Sequence, residues 1–160
     1  MGFRRFAEKA AALLDQASMD QPRPSFLYYL SPVQLAAETG QALVTLASRS
    51  AAHRIRLLDE GIDVLAAAVP EMTVVDDPNG PSLARSGLLH STFLAQALLQ
   101  RGRTGDAIDT IRASLPLLPT VQSPRGRGYL KTLRPLLGRH SRSAKVRAFL
   151  PEFDAALLKV

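Results

Sequence analysis

Three histidines, His53, His90 and His140, are the side chains in this sequence best suited to acid–base catalysis or metal binding. None of them has a second histidine or a carboxylate at the spacing that would bring two ligands to one face of a helix. The pattern therefore does not predict a metal centre. His90 stands beside an apolar helical stripe, where we expect a hydrogen-bonded core histidine.

Other polar motifs indicate turns. Asp76 and Asp77 belong to a turn sequence with proline, asparagine and glycine, which favours a solvated loop over a cation site. Segment 102–105 has two glycines, but no strand precedes it and no lysine–hydroxyl pair follows, so we expect a helix–helix turn and not a phosphate site. No serine lies in a Gly-x-Ser-x-Gly motif with an acid–base pair to activate it. We predict no catalytic residue and no cofactor.

One pair of aromatic residues is a candidate for ligand contact. Tyr28 and Tyr29 could line a groove for a partner or ligand, because tyrosine combines a large apolar ring with a hydroxyl. His90 is the third residue of this candidate groove. The alternative is that at least one of the two tyrosines packs into the core.

The basic residues are concentrated near the C-terminus. Residues 1–109 hold ten Lys/Arg and twelve Asp/Glu, whereas residues 110–151 hold nine Lys/Arg and no acid. Such a segment could meet phosphates or an acidic protein, or form a solvated cationic surface. The candidate basic patch consists of Arg125, Arg127, Lys131, Arg134 and Arg139.

Length and composition set the class of protein. A chain of 160 residues has the size of one domain, and the absence of cysteine excludes disulfides and thiolate chemistry. Charged residues such as Glu8 and Asp15 interrupt what a signal peptide would need as an apolar run, and no run approaches the roughly twenty residues of a membrane span. We expect a cytoplasmic protein with no membrane partner.

Segment 86–119 is predicted to form one helix–turn–helix unit. Its first half has apolar residues at helical spacing, Gly102 and Gly105 interrupt the pattern, and a second stripe ends at Pro119. The unit contains, in order, Leu94-Ala95, Leu98, Gly102, Ala107, Ile111, Ser114 and Pro119. In this order it resembles the tetratricopeptide repeat, although Ser91 and Ile111 replace the usual aromatic residues.

Amphipathic patterns surround this unit. We predict helices over 3–19, 31–48, 51–69, 129–137 and 144–158, with Ser31 as a cap, Pro70 as a stop and 120–128 as a connection. The expected organisation is a single domain, 1–160, with a cap helix (1–20), a divergent repeat (31–70), the best-formed repeat (86–119) and basic helices (124–158). The fold class is all-α, a stack of antiparallel helical hairpins in a TPR-like α-solenoid.

A wider similarity covers roughly residues 26–158. It rests on the runs FLYYLSPVQLAAETGQALVTLA, RSGLLHSTFLAQALLQRGRTGDAI, SPRGRGYLKTLRPLL and VRAFLPEF. These are similar to the C-terminal repeat region of actinobacterial transcriptional regulators, in which a lambda-repressor-like helix-turn-helix domain precedes the repeats. About thirty residues precede Ser31, roughly half of what that DNA-reading module needs, so we expect the module to be absent here.

The resemblance implies a non-catalytic interaction or sensor domain, regulatory in role, that binds a protein, a peptide or a small ligand. A second copy of the chain is a candidate partner, because short repeat stacks leave apolar end faces uncovered. The alternative is a nucleic-acid-binding protein that uses the basic segment. We expect such binding to be weak and non-specific, because no base-reading helix is evident and Tyr129 is the only aromatic residue there suited to stacking on a base.

Overall fold

All regular elements that the described residues form are helices. The computed structural model describes residues 2–20, 31–74, 83–119, 121 and 124–158. The α-helices are α1 (Gly2–Asp20), α2 (Pro32–Arg49), α3 (Arg54–Met72), α4 (Ala84–Gln100), α5 (Thr104–Ser114), α6 (Pro124–Lys131), α7 (Leu133–Arg139) and α8 (Ala144–Leu158). The prediction of an all-α chain is confirmed for these residues.

Helix α2 begins where the sequence predicts. The hydroxyl oxygen of Ser31 accepts a hydrogen bond from the Gln34 amide at 3.1 Å, and Pro32 occupies the first turn, where no intrahelical donor is needed. A short 3-10 helix, Ala51–His53, then leads into α3. Helices α2 and α3 pack extensively against each other.

Two glycines set the distance between α2 and α3. A Cβ atom added to Gly40 would lie 2.6 Å from the Cγ of Leu65, and one added to Gly61 would lie 2.9 Å from the Cγ2 of Val44. Both approaches are closer than carbon atoms tolerate. The helices therefore cross with their backbones close together, and a larger side chain at either glycine would have to push them apart.

Helix α4 lies at the centre of the described core. It packs against α2, α3, α5, α6 and α7, and residues on several of its sides are buried. Gly87 touches the end of α3, since an added Cβ there would lie 2.5 Å from the carbonyl oxygen of Met72. A helix surrounded in this way needs small or apolar residues on most of its surface.

Three predicted boundaries are wrong. Helix α3 continues through Pro70 to Met72. A proline in this last turn removes only one backbone hydrogen bond, and the side chain of Pro70 is exposed to solvent. Segment 120–128, predicted as a connection, contains the start of α6 at Pro124. The predicted helix 129–137 is instead split, and α7 begins at Leu133 with Pro135 in its first turn, where its missing amide is not required.

Helix α1 is the most weakly held element of the described fold. Its main neighbour is α2, and together with α3 these helices border a cleft of about 280 Å³ lined mainly by small and apolar side chains, among them Ala11, Leu35 and Ala36. Phe6 and Leu13 lie two helical turns apart and are 75% and 56% exposed. A second apolar stripe on α1 therefore faces away from the chain.

Candidate functional site

A cleft between α5 and α8 brings charged and apolar side chains together. It has a volume of about 310 Å³ and is lined by Gly105, Ile108, Asp109, Arg112, Lys145, Ala148 and Phe149. Ile108 and Phe149 are buried and form an apolar floor, whereas Ala148 is exposed at the side. The two helices are far apart in sequence and belong to different predicted units, so this cleft exists only in the folded chain.

One end of the cleft is organised around Arg112. Its guanidinium donates to both carboxylate oxygens of Glu152, with the shortest contact at 2.7 Å, and stands 5.1 Å above the ring of Phe149. Asp109 lies 3.9 Å away on the same helix. The hydrogen bonds from Arg112 lower the pKa of Glu152, and the same pairing raises the pKa of Arg112. Arg112 is therefore neutralised and held in place.

The other end of the cleft carries an unpaired cation. A Cβ added to Gly105 would lie 3.5 Å from the ammonium nitrogen of Lys145, so the lysine extends across α5 where the chain has no side chain. Lys145 is exposed, and no carboxylate of the described residues lies within ion-pair distance of it. The nearby carboxylate of Asp106 is engaged by Arg103 at 2.7 Å.

Lys145 belongs to a cluster of exposed cations at the α7–α8 turn, which we call the basic corner. Its members are Arg139, Arg142, Lys145 and Arg147. Arg147 donates to the carbonyl oxygens of Ser141 and Arg142, at 3.1 and 2.8 Å, and so ties the turn to the first turn of α8. Positive charge at a helix N-terminus opposes the helix dipole. Lys145 and Arg147 lie in the first turn of α8 and oppose its dipole, whereas Arg139 lies in the last turn of α7 and favours that helix.

The basic corner differs from the predicted basic patch. Arg134 of that patch binds both carboxylate oxygens of Asp154, at 2.7 and 3.0 Å, which raises its pKa and makes it a link between α7 and α8. Arg127 is half-buried with its Nε atom unpaired, and Lys131 and Arg139 are exposed. The side chain of Arg125 lies outside the described residues.

The predicted groove residues are not brought together in the described fold. Tyr28 and Tyr29 lie outside the described residues. His90 is fully buried, with its Nε2 atom 3.3 Å from the amide nitrogen of Gln34 and 3.8 Å from a carboxylate oxygen of Glu38. Burial lowers the pKa of His90, and Glu38 opposes that shift only in part. As expected for a core histidine, it is hydrogen-bonded within the interior.

The Gln34 amide also orients His90. It donates to Glu38 at 3.1 Å, so its nitrogen faces the imidazole, whose Nε2 then accepts and whose Nδ1 carries the proton. Nδ1 has no hydrogen-bond partner among the described residues. This arrangement requires a neutral imidazole.

Within the described residues no group of three or more histidine or acidic side chains could hold a metal ion, and none of the helices has the length and apolar character to cross a membrane. Comparison with family models, with curated proteins and with solved structures finds no match. The chemistry of the cleft is thus the basis for assigning a function.

The sequence does not predict this cleft, although it contains one signal for it. Arg142, Lys145 and Arg147 belong to the acid-free segment, but the predicted patch does not include them. Their exposure, and the pairing of Arg134 with an acid, depend on how α7 and α8 pack.

Proposed function

We propose that this protein is a non-catalytic, tetratricopeptide-like interaction domain, cytoplasmic and regulatory in role, that binds a segment of a partner protein between α5 and α8. The observation that carries this proposal is the cleft itself, which joins an apolar floor to an unpaired cation at its mouth. An acidic partner segment would bury an apolar side chain on Ile108 and Phe149. Its carboxylates would meet Lys145 and the basic corner.

Two further features favour a scaffold that binds proteins. Consecutive helices α2 and α3, and then α4 and α5, pack against each other, and α4 connects the two pairs. The sequence of the central pair resembles the tetratricopeptide repeat. Helical repeats of that kind use exposed surfaces between helices to hold extended or helical segments of partners.

The dimensions of the cleft favour a protein segment over an enclosed small ligand. Ala148 and Lys145 on α8, and Asp109 on α5, are exposed along its edges, so the cleft is open along the helices. Sites for small ligands usually enclose most of the ligand surface. An open cleft of about 310 Å³ instead accepts one or two side chains of a longer chain.

A peptide selection tests the proposal. Random peptides displayed on phage are selected against the full-length chain, and an enriched peptide is measured by fluorescence anisotropy. Ala148→Phe places a ring in the cleft and should weaken binding by about tenfold or more, as expected for loss of a central contact. Ala66→Phe, at an exposed alanine of α3, is the matched control and should leave binding unchanged.

Two results of this experiment would contradict the proposed binding site. If no peptide is enriched, or if every enriched peptide binds equally well to the Ala148→Phe variant, the α5–α8 cleft is not a protein-binding site.

The second candidate function is binding of nucleic acid, and the basic corner favours it. The four exposed cations have no ion-paired carboxylate among the described residues and could contact phosphates. Such contacts carry no sequence information, and the described residues offer no exposed aromatic ring beside the corner for stacking. We therefore rank this function below peptide binding.

Salt dependence separates the two candidates. Phosphate binding would lose affinity with a log–log slope of about −0.9 for each phosphate neutralised. The double variant Arg142→Ser with Lys145→Ser should flatten that slope, while Arg49→Ser with Arg56→Ser, the same charge change on exposed residues elsewhere, should not. Arg147 is left unchanged because it holds the turn. A sequence-selective, sub-micromolar complex with duplex DNA at physiological salt would reverse our ranking.

A further inference from the structure

We infer that the α5–α8 cleft orients its occupant, a peptide segment with a carboxylate at the Lys145 end, a cation at the Asp109 end and an apolar side chain between them. This inference rests on the proposed function and adds the chemistry and direction of the bound segment. It follows from the unequal charge at the two ends of the cleft.

The Lys145 end has a net positive charge. Lys145 is exposed and unpaired, and its ammonium group lies beside Gly105, where no side chain of α5 fills the space. Arg103 and Asp106 are three residues apart on the chain and form an ion pair at 2.7 Å, so they neutralise one another. A carboxylate placed at this end would find an ammonium group that has no other acidic partner in the described fold.

The Asp109 end has a net negative charge. Arg112 contributes one positive charge, and Glu152 and Asp109 contribute two negative charges. Glu152 accepts hydrogen bonds from the Arg112 guanidinium, with the shortest contact at 2.7 Å. Asp109 lies 3.9 Å from the guanidinium, and the side chain of Asp109 is 78% exposed. The carboxylate of Asp109 is thus left to accept a cation from a partner.

The middle of the cleft is apolar and short. Gly105 and Asp109 are four residues apart on α5, or about 6 Å along the helix axis. A helical segment advances about 1.5 Å per residue, so four residues span that distance, and its side chains at positions i, i+3 and i+4 lie on one face. The expected occupant therefore has an acidic and a basic side chain four residues apart, with an apolar residue on the same face between them that meets Ile108 and Phe149.

The peptide selection tests this inference when it is repeated with charge-reversed variants of the full-length chain. Peptides selected by the wild type should share the acidic–apolar–basic pattern, and replacing the acidic residue with alanine should weaken binding about two- to fivefold, as for other exposed ion pairs. Selection with Lys145→Glu should replace the acidic position by a basic one. Selection with Asp109→Lys should replace the basic position by an acidic one.

Matched reversals at exposed sites outside the cleft, Lys131→Glu and Glu71→Lys, should leave the pattern unchanged. Lys145→Met gives a second variant that should lose the acidic preference without gaining a basic one. Enrichment of peptides whose pattern does not respond to either reversal in the cleft would overturn the orientation and leave the proposed function standing. If the wild type enriches no peptide, both fail.

Discussion

The α2–α3 pair and the α5–α8 pair use the space between two helices in opposite ways. At the first contact, Gly40 and Gly61 bring the backbones so close that an added Cβ would collide with Leu65 or Val44. At the second, a Cβ added to Gly105 would meet only the end of Lys145, at an ordinary 3.5 Å. The first pair is closed by packing, and the second remains open with charges at its edges.

This difference separates what stabilises the fold from what is available for binding. Close packing of α2 against α3 buries apolar surface that a partner cannot reach, and every atom added there lowers the stability of the fold. The α5–α8 cleft buries its floor but leaves Lys145 and Asp109 in solvent. Substitutions should therefore affect stability in the first region and binding in the second.

The largest expected effect is at the closed contact. Gly61→Leu should lower the free energy of unfolding by about 3 kcal/mol, because α2 and α3 must move apart to admit the side chain. Gly105→Ala should leave the free energy of unfolding unchanged or raise it by up to about 1 kcal/mol, since alanine favours the helix. Urea unfolding of both variants gives the comparison. Equal losses would show that the two contacts do not differ in packing.

A pair of alanines extends the comparison to the second region. Ala107 is fully buried, so Ala107→Phe should cost about 1–3 kcal/mol through overpacking. Ala148 lies exposed at the cleft, so Ala148→Phe should change stability by no more than about 0.5 kcal/mol while it blocks binding. Thermal melts combined with the peptide assay measure both effects. A large loss of stability for Ala148→Phe would mean that the cleft is closed in solution.

Substitutions in the turn between α4 and α5 should lower stability according to the backbone conformation they require and not according to side-chain volume. Gly102 has a φ of 74°, and an added Cβ there would meet nothing within 4 Å, so the turn has space for a side chain but a left-handed backbone. Gly102→Val should still cost about 1–2 kcal/mol, because a left-handed backbone is unfavourable for a branched residue. Gly102→Asn should cost less. Similar losses for both variants would refute this account.

The buried His90 should make stability depend on pH. Its pKa in the fold is lowered from 6.5, so the unfolded chain binds the proton more readily. The stabilisation from neutral His90 is complete above about pH 6.5 and decreases as the pH falls below that value. Urea unfolding at about pH 7.5 and about pH 5.5 should show a loss that His90→Gln reduces and that His53→Gln, at an exposed histidine, does not. If the free energy of unfolding of the His90→Gln variant falls between the two pH values as much as that of the wild type, His90 is not the cause.

The smallest effect on unfolding is expected at α1. Phe6→Ser with Leu13→Ser removes two exposed side chains and should change the stability of the monomer by no more than about 0.5 kcal/mol. Sedimentation tests the separate expectation that the chain self-associates through this helix. The wild type should then show reversible association that the double variant lacks. A wild type that stays monomeric at high concentration would remove α1 as a dimer element.

Helix positions were largely predictable because their signals are local. Ser31 and Pro32 start α2 as expected, and Ala144–Leu158 forms the predicted last helix even though Pro151 lies inside it. The errors fall where a local rule competes with packing. Pro70 is predicted to end its helix, yet α3 continues two residues further to Met72 and loses one amide hydrogen bond in its last turn. Pro135 lies in the first turn of α7, where its missing amide is not required. Pro124 is predicted to belong to a connection and instead begins α6.

The candidate site was predictable only in part. The acid-free segment indicates that cations are concentrated near the C-terminus, but not which of them remain available. Arg134 and Arg112 are engaged by Asp154 and Glu152, the two acidic residues that follow the basic segment. These partners are 20 and 40 residues away along the chain, a separation that no helical spacing reveals.

The sequence by itself determined that the described chain forms amphipathic helices and that positive charge collects near its C-terminus, because helical periodicity and charge are properties of neighbouring residues. Only the tertiary structure decided that α4 is surrounded by helices, that His90 is buried and neutral, and that α5 and α8 border an open cleft with opposite charges at its two ends. These features depend on which distant helices meet and on how closely their backbones approach. That distance is set by small residues such as Gly40, Gly61 and Gly87, whose effect appears only when a second helix lies against them.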